Sequence, residues 1–197
     1  MNLFIALGCI ARNAPINNYM HQHLDYIKNL IVLNTKTGPF LTGSFMTWLL
    51  ETEHNHTPTW LPDDLDICCT SEDQFQTVKH TLEPLATITK ETNWLGHSGT
   101  YWTINDFKYQ AFVHPVSVTE RLNIVDYTVT AIASDGINFI TAKNTLDDIK
   151  TRTLRLNDNI YAWPAESIMG RYKKYINRGY VDVGNITWNK LTEIYEA

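Results

Sequence analysis

The chain is poor in cysteine and in charge, and it has no long apolar run. Its three cysteines, Cys9, Cys68 and Cys69, are odd in number and follow no regular spacing. That argues against a disulfide framework and points to a reducing, cytoplasmic compartment. Charged residues make up only 19% of the chain, and the net charge is -5. Such an acidic balance argues against a strong nonspecific grip on long nucleic acid, yet leaves room for one local basic face. No stretch approaches the roughly 20 apolar residues that span a bilayer. The apolar run at 3–10 has no Lys or Arg before it and is too short for a secretory leader. It reads as a buried N-terminal element, and no membrane partner is expected. Repeats and low-complexity tracts are also missing. What is present suffices for an ordinary core: 44% apolar and 12% aromatic residues in a chain of 197. That is the size of one domain with a small extension.

The stretch around which the rest is organised is Leu41-Thr42-Gly43-Ser44, followed some twenty residues later by Asp63-Asp64-Leu65-Asp66-Ile67. The first piece reads as a strand end, a glycine turn and a helix start. The second reads as a strand. Residues i and i+2 of a strand share a face, so Asp64 and Asp66 project together. Two like charges held that close call for a compensating cation. Carboxylate oxygens suit Mg²⁺ or Mn²⁺, which bind through one or two carboxylates plus substrate phosphates. A Gly43-Ser44 turn at a helix start offers backbone N–H groups and a hydroxyl to a phosphate. These parts together describe metal-assisted transfer of a nucleotidyl group.

The remaining pattern predicts an α+β fold, with a mixed central sheet of about five strands flanked by helices. Helices are expected at 17–36, at 45–51 behind a Ser44 cap, from Ser71 to about 82, at 165–178 behind Pro164, and at 187–196. Strands are expected at 40–42, 65–70, 85–92, 101–104, 107–113, 124–133 and 138–141. Asn105-Asp106 marks a hairpin between two of them. Short pieces follow: a helix at 146–151 and a strand at 154–156. The core is placed at about 38–142 and a mostly helical C-terminal extension at about 143–197, within a single domain of 1–197. The polar 52–62 loop separates the glycine turn from the acids.

Gly43-Ser44 followed by Asp64-x-Asp66 resembles the signature of the DNA polymerase beta-like nucleotidyltransferase superfamily. A second block, Asp126-Tyr-Thr-Val-Thr-Ala131 with Asp135-Gly136, resembles the segment after the palm strands in tRNA CCA-adding enzymes and bacterial poly(A) polymerases. Leu146-Asp147-Asp148-Ile149, Arg152, Arg155, and Arg171-Tyr-Lys-Lys-Tyr175 with Arg178 follow in the matching order. The order is also similar to nucleotidyltransferase-like proteins of phages and large DNA viruses. The likeness spans about 38–180.

The resemblance implies that Asp64 and Asp66 are the catalytic metal ligands, binding Mg²⁺ or Mn²⁺, and that Gly43 and Ser44 contact the β- and γ-phosphates of a nucleoside triphosphate. Asp126 would orient the ribose end of the nucleotide or brace a loop. Many members carry a third carboxylate on a neighbouring strand; here that position is Gln110, with Asp106 the nearest acid to replace it. Arg171, Lys174 and Arg178 share a helical face and could receive triphosphate or an RNA backbone. The implied activity moves a nucleoside monophosphate from the triphosphate to a hydroxyl of an RNA 3′ end, a protein or a small molecule, releasing pyrophosphate. The alternative is an inactive member that only binds nucleotide or RNA. The 52–62 loop is longer than the family's, and Glu166-Ser167 lacks the second acid of the base-selecting motif. His54-Asn55-His56, the pair His21 and His23, and the tryptophans Trp60, Trp94, Trp102 and Trp163 read as loop and packing residues.

Overall fold

The acid-bearing strand lies at the middle of a seven-stranded sheet. A computed structural model of the chain describes residues 15–54, 56–94, 96–158 and 164–184. In chain order the elements are α1 (Pro15–Leu30), β1 (Phe40–Thr42), α2 (Gly43–Glu53), β2 (Asp64–Cys69), α3 (Glu72–Leu82), β3 (Ile88–Trp94), β4 (His97–Ile104), β5 (Phe107–Val113) and α4 (Val118–Ile124). There follow β6 (Ile132–Ser134), β7 (Phe139–Thr141), α5 (Thr145–Thr151), β8 (Thr153–Leu154), α6 (Ala165–Asn177) and β9 (Val181–Asp182). The sheet order is β3-β4-β5-β2-β1-β6-β7, with β8 and β9 forming a separate pair. Only β2 and β5 run parallel in the large sheet; its other pairings are antiparallel. The α+β expectation therefore holds, with seven strands where about five were expected. Three of them, β1, β6 and β7, are three residues long, and they fall on the expected strands at 40–42, 124–133 and 138–141.

Alternation along β2 divides its two faces. Leu65, Ile67 and Cys69 join the main core with Met20, Leu24 and Ile27 of α1, Phe45 and Trp48 of α2 and Phe75 of α3. Cys68 points the other way, into a smaller cluster with Phe40, Phe112 and Val118 and Leu122 of α4. Asp64 and Asp66 lie on this second face, next along the strand. Helix α4 thus seals the Cys68 end of the face and leaves the acid end to the site. A capping box fixes where α4 begins, since Ser117 and Glu120 satisfy each other's backbone N–H groups.

Several boundaries differ from expectation for visible reasons. Helix α1 stops at Leu30 because the Asn34 side chain accepts from the backbone N–H groups of Lys36 and Thr37 and turns the chain. Helix α2 starts at Gly43 with Thr42 as its N-cap, so Ser44 is a first-turn residue and not the cap. The expected strand at 124–133 is replaced by the end of α4, a 3₁₀ turn at Thr128–Thr130 and only three strand residues. Its backbone bonds instead go to the C-terminal part of the chain: Thr128 N–H donates to the Arg155 carbonyl, and Tyr127 bridges to Leu156. The expected segments at 3–10 and 187–196, and Trp163, lie outside the described residues. Among the described residues no helix is long and apolar enough to cross a membrane.

Candidate active site

The register of the sheet brings the predicted residues into one cleft. Thr42 pairs with Asp66 across β1 and β2, Asp66 with Gln110 across β2 and β5, and Gln110 with Tyr101 across β5 and β4. Paired positions share a face, and all four side chains line a cavity of about 280 Å³. Gly43, Ser44, Asp64, Asp126, Arg171 and Lys174 line it too. The two acids do project together, and among the described residues neither is in a salt bridge.

Gly43 meets Asp66 directly. Its φ is +74°, in the left-handed region, and a Cβ added there would lie 2.2 Å from Asp66 Oδ2. Only glycine allows both the turn and the close approach of the carboxylate. Thr47, one turn into α2, donates to the Val129 carbonyl at 2.7 Å, which holds the segment after Asp126 against the same helix.

The electrostatics are those of two half-buried like charges. Burial, and then the neighbouring Asp64 carboxylate, push the Asp66 carboxyl up to about 8. Burial also raises Asp64, and the Lys174 ammonium partly opposes the rise. A divalent ion would relieve both effects by neutralising the pair. The donor set fits Mg²⁺ or Mn²⁺: hard carboxylate oxygens, with a phosphate able to complete the shell. Among the described residues no cluster of three or more His, Cys, Asp or Glu gathers to hold a metal. Gln110 stands beside Asp66 where a third acid would be. Asp106, in the β4–β5 turn with φ +63°, is not among the lining residues.

The basic residues of α6 divide. Arg171 is ion-paired with the buried Asp126, whose other oxygen accepts from the Tyr127 N–H. Lys174 pairs with Asp63 at 2.9 Å at the edge of the cavity. Arg178 stacks on the Trp60 ring, 3.7 Å from its centroid, and its guanidinium also reaches Asp63 at 3.9 Å. Arg152 and Arg155 serve the scaffold, holding Glu51 and Asp148. His56 hydrogen-bonds the Lys150 carbonyl, and His23 stacks on Phe107 and bonds the Tyr109 hydroxyl. Trp102 is wholly buried.

Sequence reading missed Arg121. This α4 residue is buried, lines the cavity and lies over the Phe112 ring. Burial lowers its pKa, while the thiol of Cys68 and the carboxylates of Asp126 and Asp66 favour its charge. The Ser117-x-x-Glu120 capping box was the available signal, because it sets where α4 starts and so which way Arg121 points. Tyr101 was likewise read only as a strand residue.

No sequence-family model matches the chain, and no curated protein matches it by sequence. Solved structures do. The Thermotoga maritima CCA-adding enzyme complexed with tRNA superposes with a TM-score of 0.55 at 14% identity, over 99% of this chain and 45% of that one. A tRNA nucleotidyltransferase complexed with a primer tRNA and an incoming ATP analogue gives 0.50 at 14% identity, over 80% of this chain and 46% of that one. The chain spans under half the length of either protein. It has the nucleotidyltransferase fold, in the form found in tRNA nucleotidyltransferases.

Proposed function

We propose that the chain is a metal-dependent nucleotidyltransferase, moving a nucleoside monophosphate from a triphosphate to a hydroxyl with release of pyrophosphate. The observation that carries this is the Gly43–Asp66 contact: a glycine turn at a helix start, pressed against one of two half-buried acids that share a cavity. Asp64 and Asp66 would hold Mg²⁺ or Mn²⁺, and the ion would draw charge from the phosphate and favour ionisation of the attacking hydroxyl. The first-turn N–H groups of α2 and the Ser44 hydroxyl bind the outer phosphates. Arg121, Arg171 and Lys174 supply positive charge around the same space, and Lys174 can trade its exposed partner Asp63 for a phosphate oxygen. The Asp126–Arg171 pair keeps one of these cations at a fixed place beside the nucleotide. The two solved enzymes named above are complexed with tRNA, which makes an RNA end one acceptor class. No membrane partner is proposed, and a cytoplasmic setting fits the unpaired Cys68 and Cys69.

Gln110 favours a second reading, a nucleotide-binding module without turnover, because a neutral amide is a poor ligand for a hard cation. One experiment separates the two. Isothermal titration with a non-hydrolysable triphosphate and Mn²⁺ should show metal-dependent binding that Asp64→Asn with Asp66→Asn abolishes. A labelled triphosphate should then yield pyrophosphate with the parent chain alone. Binding without pyrophosphate means the binding module, and no binding defeats both.

A further inference from the structure

The row Thr42–Asp66–Gln110–Tyr101 has a direction. Its β1 end leads into the Gly43–Ser44 turn, the acids stand on β2, and its β4 end carries the half-buried phenol of Tyr101. Displacement at phosphorus needs the attacking and leaving oxygens on opposite sides, roughly in line. A triphosphate with its outer phosphates at the turn presents its α-phosphorus to the acids. The side opposite the leaving group then faces β5 and β4. Tyr101 carries a hydroxyl of the protein's own on that side of the cavity.

The strands lie about 4.8 Å apart, so β4 is about 10 Å from β2, a gap the long tyrosine side chain shortens. The phenol is close enough to Asp66 and Asp64 that both raise its pKa, beyond what burial does, and the Gln110 side chain, its neighbour across β5 and β4, opposes the rise. Gln110 can thus orient the phenol without adding a third negative charge beside the incoming phosphate.

We propose that Tyr101 is a site of self-nucleotidylation, receiving a nucleoside monophosphate from a nucleoside triphosphate bound in the same cavity. This rests on the transferase reading and names its acceptor. The bond that forms joins the Tyr101 phenol oxygen to the α-phosphorus. The bond that breaks joins that phosphorus to the oxygen bridging to the β-phosphorus, and pyrophosphate leaves. The phenolic proton goes to water at the cavity mouth. The product is a phosphodiester of Tyr101 whose nucleoside occupies the cleft, so the reaction runs once per chain and closes the site.

The test uses the full chain with Mn²⁺ and each of the four common ribonucleoside triphosphates. Intact mass should rise by one nucleoside monophosphate, and peptide mapping of the parent chain should place it on Tyr101. Tyr101→Phe, checked for folding by circular dichroism, should show no gain. Tyr19→Phe, at an exposed tyrosine of α1, should gain as the parent does. In parallel, titration with an α,β-methylene triphosphate and Mn²⁺ reads occupancy without chemistry. Analogue binding with no adduct, or with an adduct mapped elsewhere, overturns the Tyr101 assignment and leaves the transferase reading standing. An adduct that survives Asp64→Asn overturns it as well. No analogue binding removes both.

Discussion

Gly43→Ala tests the contact on which the site is built. The new Cβ would lie 2.2 Å from Asp66 Oδ2, more than 1 Å short of the 3.4 Å at which contact becomes ordinary. Two penalties follow. Alanine in the left-handed region costs roughly 1–2 kcal/mol. Forcing the Asp66 carboxylate off its rotamer costs about 0.5–1.5 kcal/mol more. Alanine also stiffens the unfolded chain, which offsets part of the first penalty in any background. A double-mutant cycle with Asp66→Ala separates the two, because removing the carboxylate removes only the second. Urea unfolding should therefore show Gly43→Ala to be less costly in the Asp66→Ala chain by about 1 kcal/mol. A displaced Asp66 should also weaken Mn²⁺ binding on the order of tenfold or more, as loss of a ligand's positioning group does. Equal cost in both backgrounds would refute the reasoning: Gly43 would then serve its φ angle alone, and the acid would not be held against the turn.

Asp66→Asn should stabilise the metal-free chain in a pH-dependent way. The folded Asp66 titrates near 8 against an ordinary 3.8, so the folded state keeps a proton that the unfolded state has lost. Stability of the parent chain therefore falls as pH rises from about 4 to about 8. The advantage of the Asn variant should grow over the same window, and Mn²⁺ should rescue the parent more at pH 8 than at pH 5; urea midpoints that keep a constant gap across that range would contradict the like-charge account. Arg152→Ala tests the scaffold behind α2. Glu51 is wholly buried and is held by the Tyr180 hydroxyl and Arg152. Removing the partly exposed arginine should cost about 3 kcal/mol, with recovery of part of it by Glu51→Gln; a loss under ~1 kcal/mol would show that Tyr180 alone satisfies the carboxylate.

The middle of the site was legible because it depends on period-two alternation. Once Asp64–Cys69 is a strand, Asp64, Asp66 and Cys68 must share a face and Cys69 must oppose them. Asn105-Asp106 was legible for a local reason too: both residues have positive φ, at 50° and 63°, as a two-residue hairpin turn of its type requires. What failed was long-range. Residues 124–131 carry strand-forming side chains, but their backbone partners lie near 155, and no local pattern announces that. Asp126 stood out in the sequence as a site residue, yet its partner Arg171 is 45 positions away. Arg121 and Tyr101 became visible only when α4 and β4 were laid beside β2.

The segment between α2 and β2 shows why a shared helical face did not predict a shared role. Spacing alone aligns Arg171, Lys174 and Arg178 on α6. The loop delivers Trp60 to the guanidinium of Arg178 and leads into Asp63, which takes Lys174 at 2.9 Å and lies 3.9 Å from Arg178. Arg178 is buried in this stack, so leaving it would expose the ring and lose a cation–π contact of about 2 kcal/mol when desolvated. The Lys174 pair is largely exposed and of the kind worth about 1 kcal/mol or less. An incoming phosphate can therefore draw Lys174 out of its pair far more easily than it can draw Arg178 off its ring. The segment between α2 and β2 thus fixes one cation as scaffold and leaves the other available to the cleft.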